Sequence, residues 1–143
     1  MKLDVTVTDS PSAESLALIS DGLDAFNLAA ADYADRRTLA VLVSDPATGK
    51  VVGGLSGRTS LGMLFVDLFY LPQELRGSGL GSRVLAAAED EAVNRGCRSG
   101  VLYTISFQAP DFYVKRGWTV FGEVPCDPLG TRRVFLSKDL RSV

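Results

Sequence analysis

The sequence contains no histidine and only two cysteines among its 143 residues. Without histidine there can be no Ser-His-Asp triad, no Cys-His nucleophile pair and no histidine-ligated zinc site. Cys97 and Cys126 are too few to form a four-cysteine metal site, so we expect no metal. Any acid-base catalysis must therefore come from Asp, Glu, Tyr, Lys or Cys.

The chain also lacks a strong charge of either sign and a long apolar run. Its formal net charge of -2 argues against non-specific binding to nucleic acid, which needs an excess of basic residues. No run of about 18 apolar residues is present, which predicts that there is no membrane span. The first seven residues alternate and lack the apolar stretch of a signal peptide. We therefore expect a cytoplasmic protein with free thiols.

What is present fits one globular domain over residues 1–143, because 46% of the residues are hydrophobic and 22% are charged. Residues 2–8 alternate as a first strand, and Leu16, Ile19, Leu23 and Phe26 mark one face of a helix over 11–27. The stretch 28–35 reads equally as a short helix or a loop. The pattern predicts a mixed α/β fold.

The rest of the chain alternates strands with two more helices. Strands are predicted at 38–44, 51–57 and 63–71, joined antiparallel by short turns, and at 99–106, 118–124 and 132–138. Helices are predicted from Leu80 to Arg95 and over 109–116. The strand at 63–71, a glycine loop, a helix and the strand at 99–106 form a βαβ unit, so these two strands should be parallel.

The most informative segment is the glycine loop, Arg76-Gly77-Ser78-Gly79-Leu80-Gly81. Glycines at a helix N-terminus present free backbone N–H groups to a phosphate or pyrophosphate, and the helix dipole adds partial positive charge. The loop lacks GxxxxGK[ST], and Ser82 stands where the dinucleotide pattern GxGxxG requires its third glycine. It does satisfy [RQ]xxGx[GA].

That last pattern is the coenzyme A loop of the GNAT N-acetyltransferases, which this chain resembles over almost its whole length. A second similar segment is Phe112-Tyr113-Val114-Lys115-Arg116-Gly117-Trp118. The resemblance implies a GNAT fold with a mixed, mostly antiparallel sheet of six to seven strands and helices on both faces. The fourth and fifth predicted strands, 63–71 and 99–106, would be its splayed parallel pair.

By resemblance, the chain is an N-acetyltransferase that moves the acetyl group of acetyl-CoA to a primary amine of a small molecule or peptide. The alternative is a non-catalytic domain that binds acyl-CoA as a sensor or scaffold. Members of the family often form homodimers. Their acceptor sites correspond to residues 11–37 and 125–133, which mix acids with arginines and leave the acceptor open.

The resemblance also assigns cofactor-binding residues. Backbone groups at the end of the strand at 63–71 would pair with pantetheine, and the glycine loop would hold the pyrophosphate. Gln108 stands where the family often has Asn, and Lys115 and Arg116 are candidates for the 3′-phosphate. The full set is Phe69, Tyr70, Leu71, Arg76, Gly77, Ser78, Gly79, Leu80, Gly81, Ser82, Gln108, Tyr113, Lys115 and Arg116.

Two residues are candidates for catalysis. Tyr113 matches the family tyrosine that donates a proton to the departing sulfur. Asp67 is the only acid within the apolar strand, on a predicted face with Phe65, Phe69 and Leu71, and it is a candidate base. A structural salt bridge to an arginine explains Asp67 equally well. Another carboxylate or water would then take the proton from the amine.

Overall fold

The computed structural model describes residues 2–141. In it the chain divides after Ala34 into two units. The first unit holds helix α1 (Ala13–Ala31), which begins at Ser12, whose side chain accepts a hydrogen bond from the N–H of Ser15 at 3.0 Å. The helix ends at Asp32, which is left-handed with φ +66°, so residues 28–31 continue the helix. None of the residues of α1 is buried.

The predicted strand at residues 2–8 is wrong, because this segment has no regular structure. Leu3, Val5 and Val7 are 76–98% exposed. Alternation favours a strand only where a neighbouring strand supplies backbone hydrogen bonds and one face is buried. Within the described residues, this segment has neither.

The second unit is built on a six-stranded sheet with the order β1-β2-β3-β4-β6-β5. Its strands are β1 (Arg37–Ser44), β2 (Val51–Ser60), β3 (Met63–Tyr70), β4 (Ser99–Ile105), β5 (Thr119–Cys126) and β6 (Thr131–Asp139). All neighbours are antiparallel except β3 and β4. The predicted splayed pair is therefore confirmed as the third and fourth strands of the chain, because residues 2–8 add no strand before them.

Two helices join this sheet, α2 (Leu80–Asn94) and α3 (Pro110–Val114), with a 3₁₀ turn at Gln73–Leu75. The buried face of α2 carries Val84, Leu85, Ala88 and Ala92. These residues form one core with buried side chains from all strands except β5 and with Tyr113 and Trp118. None of the helices within residues 2–141 combines the length and the apolar content that a membrane span requires.

The parallel ladder between β3 and β4 is short. It pairs Met63 to Val66 with Ser99 to Leu102 and then stops. On the other side of β3, Val66 pairs with Gly57 and Leu68 pairs with Ser56, which leaves Asp67 as the extra residue of a β-bulge. A bulge bends its strand and increases the local twist. The bulge therefore coincides with the point where β3 leaves β4.

Trp118 is the largest buried side chain of the core and is 2% exposed. Its ring lies against β4 at Gly100, where an added Cβ would be 2.8 Å from the Cη2 atom. The glycine therefore allows the ring to pack directly on the sheet backbone.

We predict that Gly100→Ala lowers the free energy of unfolding by about 1–3 kcal/mol, because the new methyl group overlaps a rigid, buried ring. Urea denaturation measures the change. The matched control is Gly122→Ala on β5, where an added Cβ meets no atom within 4 Å. Equal stability of the two variants would contradict this account of Gly100.

Candidate functional site

A cleft of about 590 Å³ opens where β3 and β4 diverge. Its walls come from the end of β3, the glycine loop, the start of α2, the segment after β4, and α3. The lining residues are Phe69, Tyr70, Leu71, Arg76, Gly77, Gly79, Gly81, Ser82, Thr104, Phe107, Gln108, Ala109, Phe112, Tyr113 and Arg116. Most of the predicted cofactor-binding residues thus lie around one cleft.

The glycine loop presents backbone donors to this cleft. Gly77 and Gly79 both have φ +82°, a conformation that strongly favours glycine. Gly79 is the N-cap of α2 and offers no side chain to accept hydrogen bonds from the first turn of the helix. The N–H groups of Leu80, Gly81 and Ser82 therefore have no partner within α2. Such a turn is suited to an anion.

Arg76 closes the loop back onto β3. Its Nε donates a hydrogen bond to the carbonyl oxygen of Leu71 at 2.9 Å. At the other end of the loop, an added Cβ on Gly81 would lie 3.2 Å from the Phe112 ring. The loop is therefore fixed to the end of β3 and packed closely against α3.

Tyr113 lies in the cleft wall among aromatic rings. Its ring meets Phe69, Phe112 and Trp118 edge-on, with centroid distances of 5.2–6.5 Å. This burial raises the pKa of Tyr113 to about 12. Within residues 2–141 no hydrogen bond holds its hydroxyl, so the group is available to a ligand in the cleft.

Gln108 is held by the end of β4. Its Oε1 accepts hydrogen bonds from the hydroxyl of Thr104 and the N–H of Ile105, both at 2.9 Å. Because both bonds use the oxygen, the NH₂ group is the part of the amide that remains for a ligand.

The two cations after Tyr113 occupy different environments. Arg116 lines the cleft, and its Nε donates to the hydroxyl of Ser82 at 2.5 Å. A second nitrogen donates to the carbonyl oxygen of Phe112 at 2.7 Å, and the guanidinium lies 3.8 Å above the Phe112 ring. Lys115 is exposed and does not line the cleft.

Three other predicted residues also lie outside the lining. Ser78 donates a hydrogen bond to the carbonyl oxygen of Leu75, and Leu80 packs against the core. Asp67 forms a 3.0 Å salt bridge with Arg58, and both side chains are about half exposed. The predicted shared face is wrong for Phe69, because the bulge at Asp67 turns Phe69 toward the aromatic cluster around Tyr113.

The sequence prediction omitted Thr104, Phe107 and Ala109 from the site, and it named Phe112 only as part of the second similar segment. All four line the cleft. A signal for the first three was present, because the C-terminal ends of parallel strands meet at one edge of a sheet. The loop after β4 must therefore face the loop after β3. Phe112 both packs on the core and lines the cleft.

Comparison with known proteins agrees with this architecture. A model of the acetyltransferase (GNAT) family matches residues 11–118. Acetyltransferase Atu2258 of Agrobacterium fabrum is 34% identical over 122 residues, covering 85% of this chain and 88% of that protein. Blasticidin-S acetyltransferase of Streptomyces morookaense is 39% identical over 93 residues, covering 64% of this chain and 68% of that one.

A crystal structure from Agrobacterium tumefaciens, of a protein classed as an acetyltransferase, superposes with a TM-score of 0.84 and 33% identity. The superposition covers 96% of this chain and 99% of that one. The sheet, the divergent parallel pair and the glycine loop are thus those of an acyltransferase. The chain belongs to the GNAT acetyltransferase family.

The raised pKa of Tyr113 predicts a stability effect at high pH. Below about pH 10 the Tyr113 phenol is neutral in both the folded and the unfolded chain. Above about pH 10 the phenol ionises in the unfolded chain but stays neutral in the folded chain until about pH 12. The free energy of unfolding therefore falls as the pH rises from about 10 to 12. At about 1.4 kcal/mol per pKa unit, the full loss is about 2–3 kcal/mol.

Urea denaturation at pH 8, 10 and 11.5 measures this effect, with Tyr113→Phe as the comparison because it cannot ionise. We expect the native chain to lose more stability than the variant across this range. Parallel pH dependence in the two proteins would contradict the raised pKa.

Proposed function

We propose that this chain transfers the acetyl group of acetyl-CoA to a primary amine of a small molecule. The observation that carries the proposal is the cleft itself, which places the backbone donors of the glycine loop and the Tyr113 hydroxyl around one space. Three tasks follow from the chemistry: binding the cofactor, stabilising the tetrahedral intermediate, and releasing the thiol.

The cofactor would be bound largely by backbone groups. Since β3 separates from β4 after Val66, the backbone at Phe69 to Leu71 has no strand from residues 2–141 beside it on that edge. An extended pantetheine arm can pair there as an added strand would. The N–H groups of the glycine loop would take the pyrophosphate, and the Gln108 NH₂ group would donate to a pantetheine carbonyl.

In the proposed reaction the amine nitrogen attacks the thioester carbon, and the C–S bond then breaks. The nitrogen loses one proton to water, and the departing sulfur takes one proton from water, so the protons balance over the cycle. The hydroxyl of Tyr113 donates a hydrogen bond to the departing sulfur. With a pKa of about 12, well above the roughly 8.5 of a thiol, Tyr113 remains protonated at neutral pH and ends each cycle unchanged.

The amine needs no carboxylate base in this scheme. Asp67, the candidate from the sequence, forms a salt bridge with Arg58 and does not line the cleft. We infer that the amine enters in its neutral form and that water accepts its proton after attack. The salt bridge of Asp67 with Arg58 would then stabilise the bulge of β3.

A relative supports a small-molecule acceptor. Blasticidin-S acetyltransferase, 39% identical over 93 residues, is named for the acetylation of an antibiotic. This likeness makes small amine-bearing antibiotics the first compounds to test.

The direct experiment measures release of free thiol from acetyl-CoA in the presence of a panel of small amines, with mass spectrometry of the products. We expect amine-dependent thiol release and a product heavier by one acetyl group. Tight binding of acetyl-CoA without turnover on any amine would instead support a sensor or scaffold domain.

We predict that Tyr113→Phe lowers kcat about 10- to 100-fold, while the Kd of acetyl-CoA changes less than about threefold, because the lost hydroxyl acts on the leaving sulfur. Steady-state kinetics and calorimetry measure the two quantities. Tyr103→Phe is the matched control, since Tyr103 lies on β4 outside the cleft lining. An unchanged kcat in Tyr113→Phe would remove Tyr113 from the mechanism.

A further inference from the structure

Arg116 connects two parts of the cleft that are far apart in the sequence. Through Nε it donates to Ser82, in the first turn of α2 beside the glycine loop. Through a second nitrogen it donates to the carbonyl oxygen of Phe112 within α3, and its guanidinium covers the Phe112 ring. Two of its three nitrogens are thus engaged within the protein.

The backbone of Arg116 is fixed by a second group of contacts behind the cleft. Its carbonyl oxygen accepts a hydrogen bond from Nζ of Lys138 on β6 at 2.9 Å. The same ammonium forms a 2.5 Å salt bridge with Glu89 of α2, and both side chains are largely buried. The other oxygen of Glu89 accepts a hydrogen bond from the indole N–H of Trp118 at 3.3 Å.

These contacts form one continuous chain from the glycine loop to the aromatic wall: Ser82, Arg116, Lys138, Glu89 and Trp118. Trp118 packs edge-on against Tyr113 at the far end. We propose that Arg116 is a positioning residue that joins the phosphate loop to the helix carrying Tyr113, with the Lys138–Glu89 pair holding it in place. The expected effect on kcat rests on the proposed function and the role it gives to Tyr113, whereas the structural link through Arg116 does not.

This role differs from the 3′-phosphate contact predicted for Arg116 from the sequence. A phosphate ligand acts by its charge on the cofactor, so its loss weakens binding. A positioning residue acts on geometry: a displacement of about 1 Å at a reacting group can lower the rate about 100-fold while binding is retained. Loss of a phosphate ligand should therefore raise the Kd of coenzyme A, whereas loss of a positioning residue should lower kcat.

The main test uses Lys138→Met, because Lys138 has no place in the cleft lining. We expect kcat to fall at least about tenfold and the Kd of coenzyme A to change less than about threefold. Lys138→Arg, which keeps a cation and donors beside Glu89, should recover much of the rate. A Lys138→Met variant with native kcat would overturn the proposal.

A second readout does not depend on activity. Trp118 is the only tryptophan in the chain, so its fluorescence reports on this network. We expect coenzyme A to change the Trp118 emission of the native protein, and Arg116→Ala to abolish most of that change while calorimetry still detects binding. If the full emission change persists in Arg116→Ala, the loop and the aromatic wall are not coupled through Arg116.

The phosphate role is tested with 3′-dephospho-coenzyme A, and Lys115→Ala is measured beside Arg116→Ala because Lys115, the adjacent exposed cation, is the other candidate for the 3′-phosphate. A positioning role predicts that Arg116→Ala preserves the native preference for coenzyme A over the dephospho form. Loss of that preference would assign Arg116 to the 3′-phosphate and overturn the proposal.

Loss of the partly buried cation leaves Glu89 without its charge partner, so the double variant Glu89→Gln with Lys138→Met is measured beside Lys138→Met. Circular dichroism establishes that each variant is folded before kinetics are measured. If no amine is acetylated by any form of the protein, the proposed function fails, and the fluorescence experiment alone decides the coupling.

Discussion

The cleft exists because two parallel strands stop pairing. Four residue pairs join β3 to β4, and beyond Val66 and Leu102 the strands separate at the bulge on Asp67. Backbone groups that would form a ladder are left at the edge of an opening. Every other feature of the site depends on that opening: the loop after β3 and the loop after β4 form its walls, and α3 closes its side.

A site made this way relies on the main chain for much of its polar character. The glycine loop contributes N–H groups, and its two residues at φ +82° and the side-chain-free N-cap of α2 keep those groups accessible. Side chains have supporting roles: Arg76 fixes the loop to Leu71, and Arg116 fixes it to α3. This division explains how the proposed reaction would bind a large anionic cofactor in a chain without histidine.

The sequence predicted most of the fold because its signals were local. The six strands of the sheet and the helices agree with the pattern within a few residues, since periodicity and glycine or proline boundaries act over short distances. The segment 2–8 failed because alternation carries no information about whether a partner strand is present. Phe69 was placed on the wrong face because a bulge changes the face of every later residue, and no glycine in β3 marks this bulge.

The sequence predicted the parts of the candidate site that lie in motifs and missed the parts that lie outside them. The glycine loop and Tyr113 were found through motifs with strict spacing, whereas Thr104 and Phe107 belong to the site only because the sheet brings two loops together. The internal contacts of Arg116 with Ser82 span 34 positions and cannot be read from spacing. Long-range contacts of this kind decide whether a cation near a motif binds a ligand or organises the protein.

The aromatic surroundings of Tyr113 have a consequence for how the acceptor can be identified. A phenol with a pKa of about 12 does not titrate in the neutral range, and the chain has no imidazole to do so. A change of rate between about pH 6 and 9 would then point first to the attacking amine, which reacts only when neutral. Under the proposed function, the pH profile of turnover would therefore report the basicity of the amine, and comparing profiles across candidate amines becomes a way to recognise the natural one.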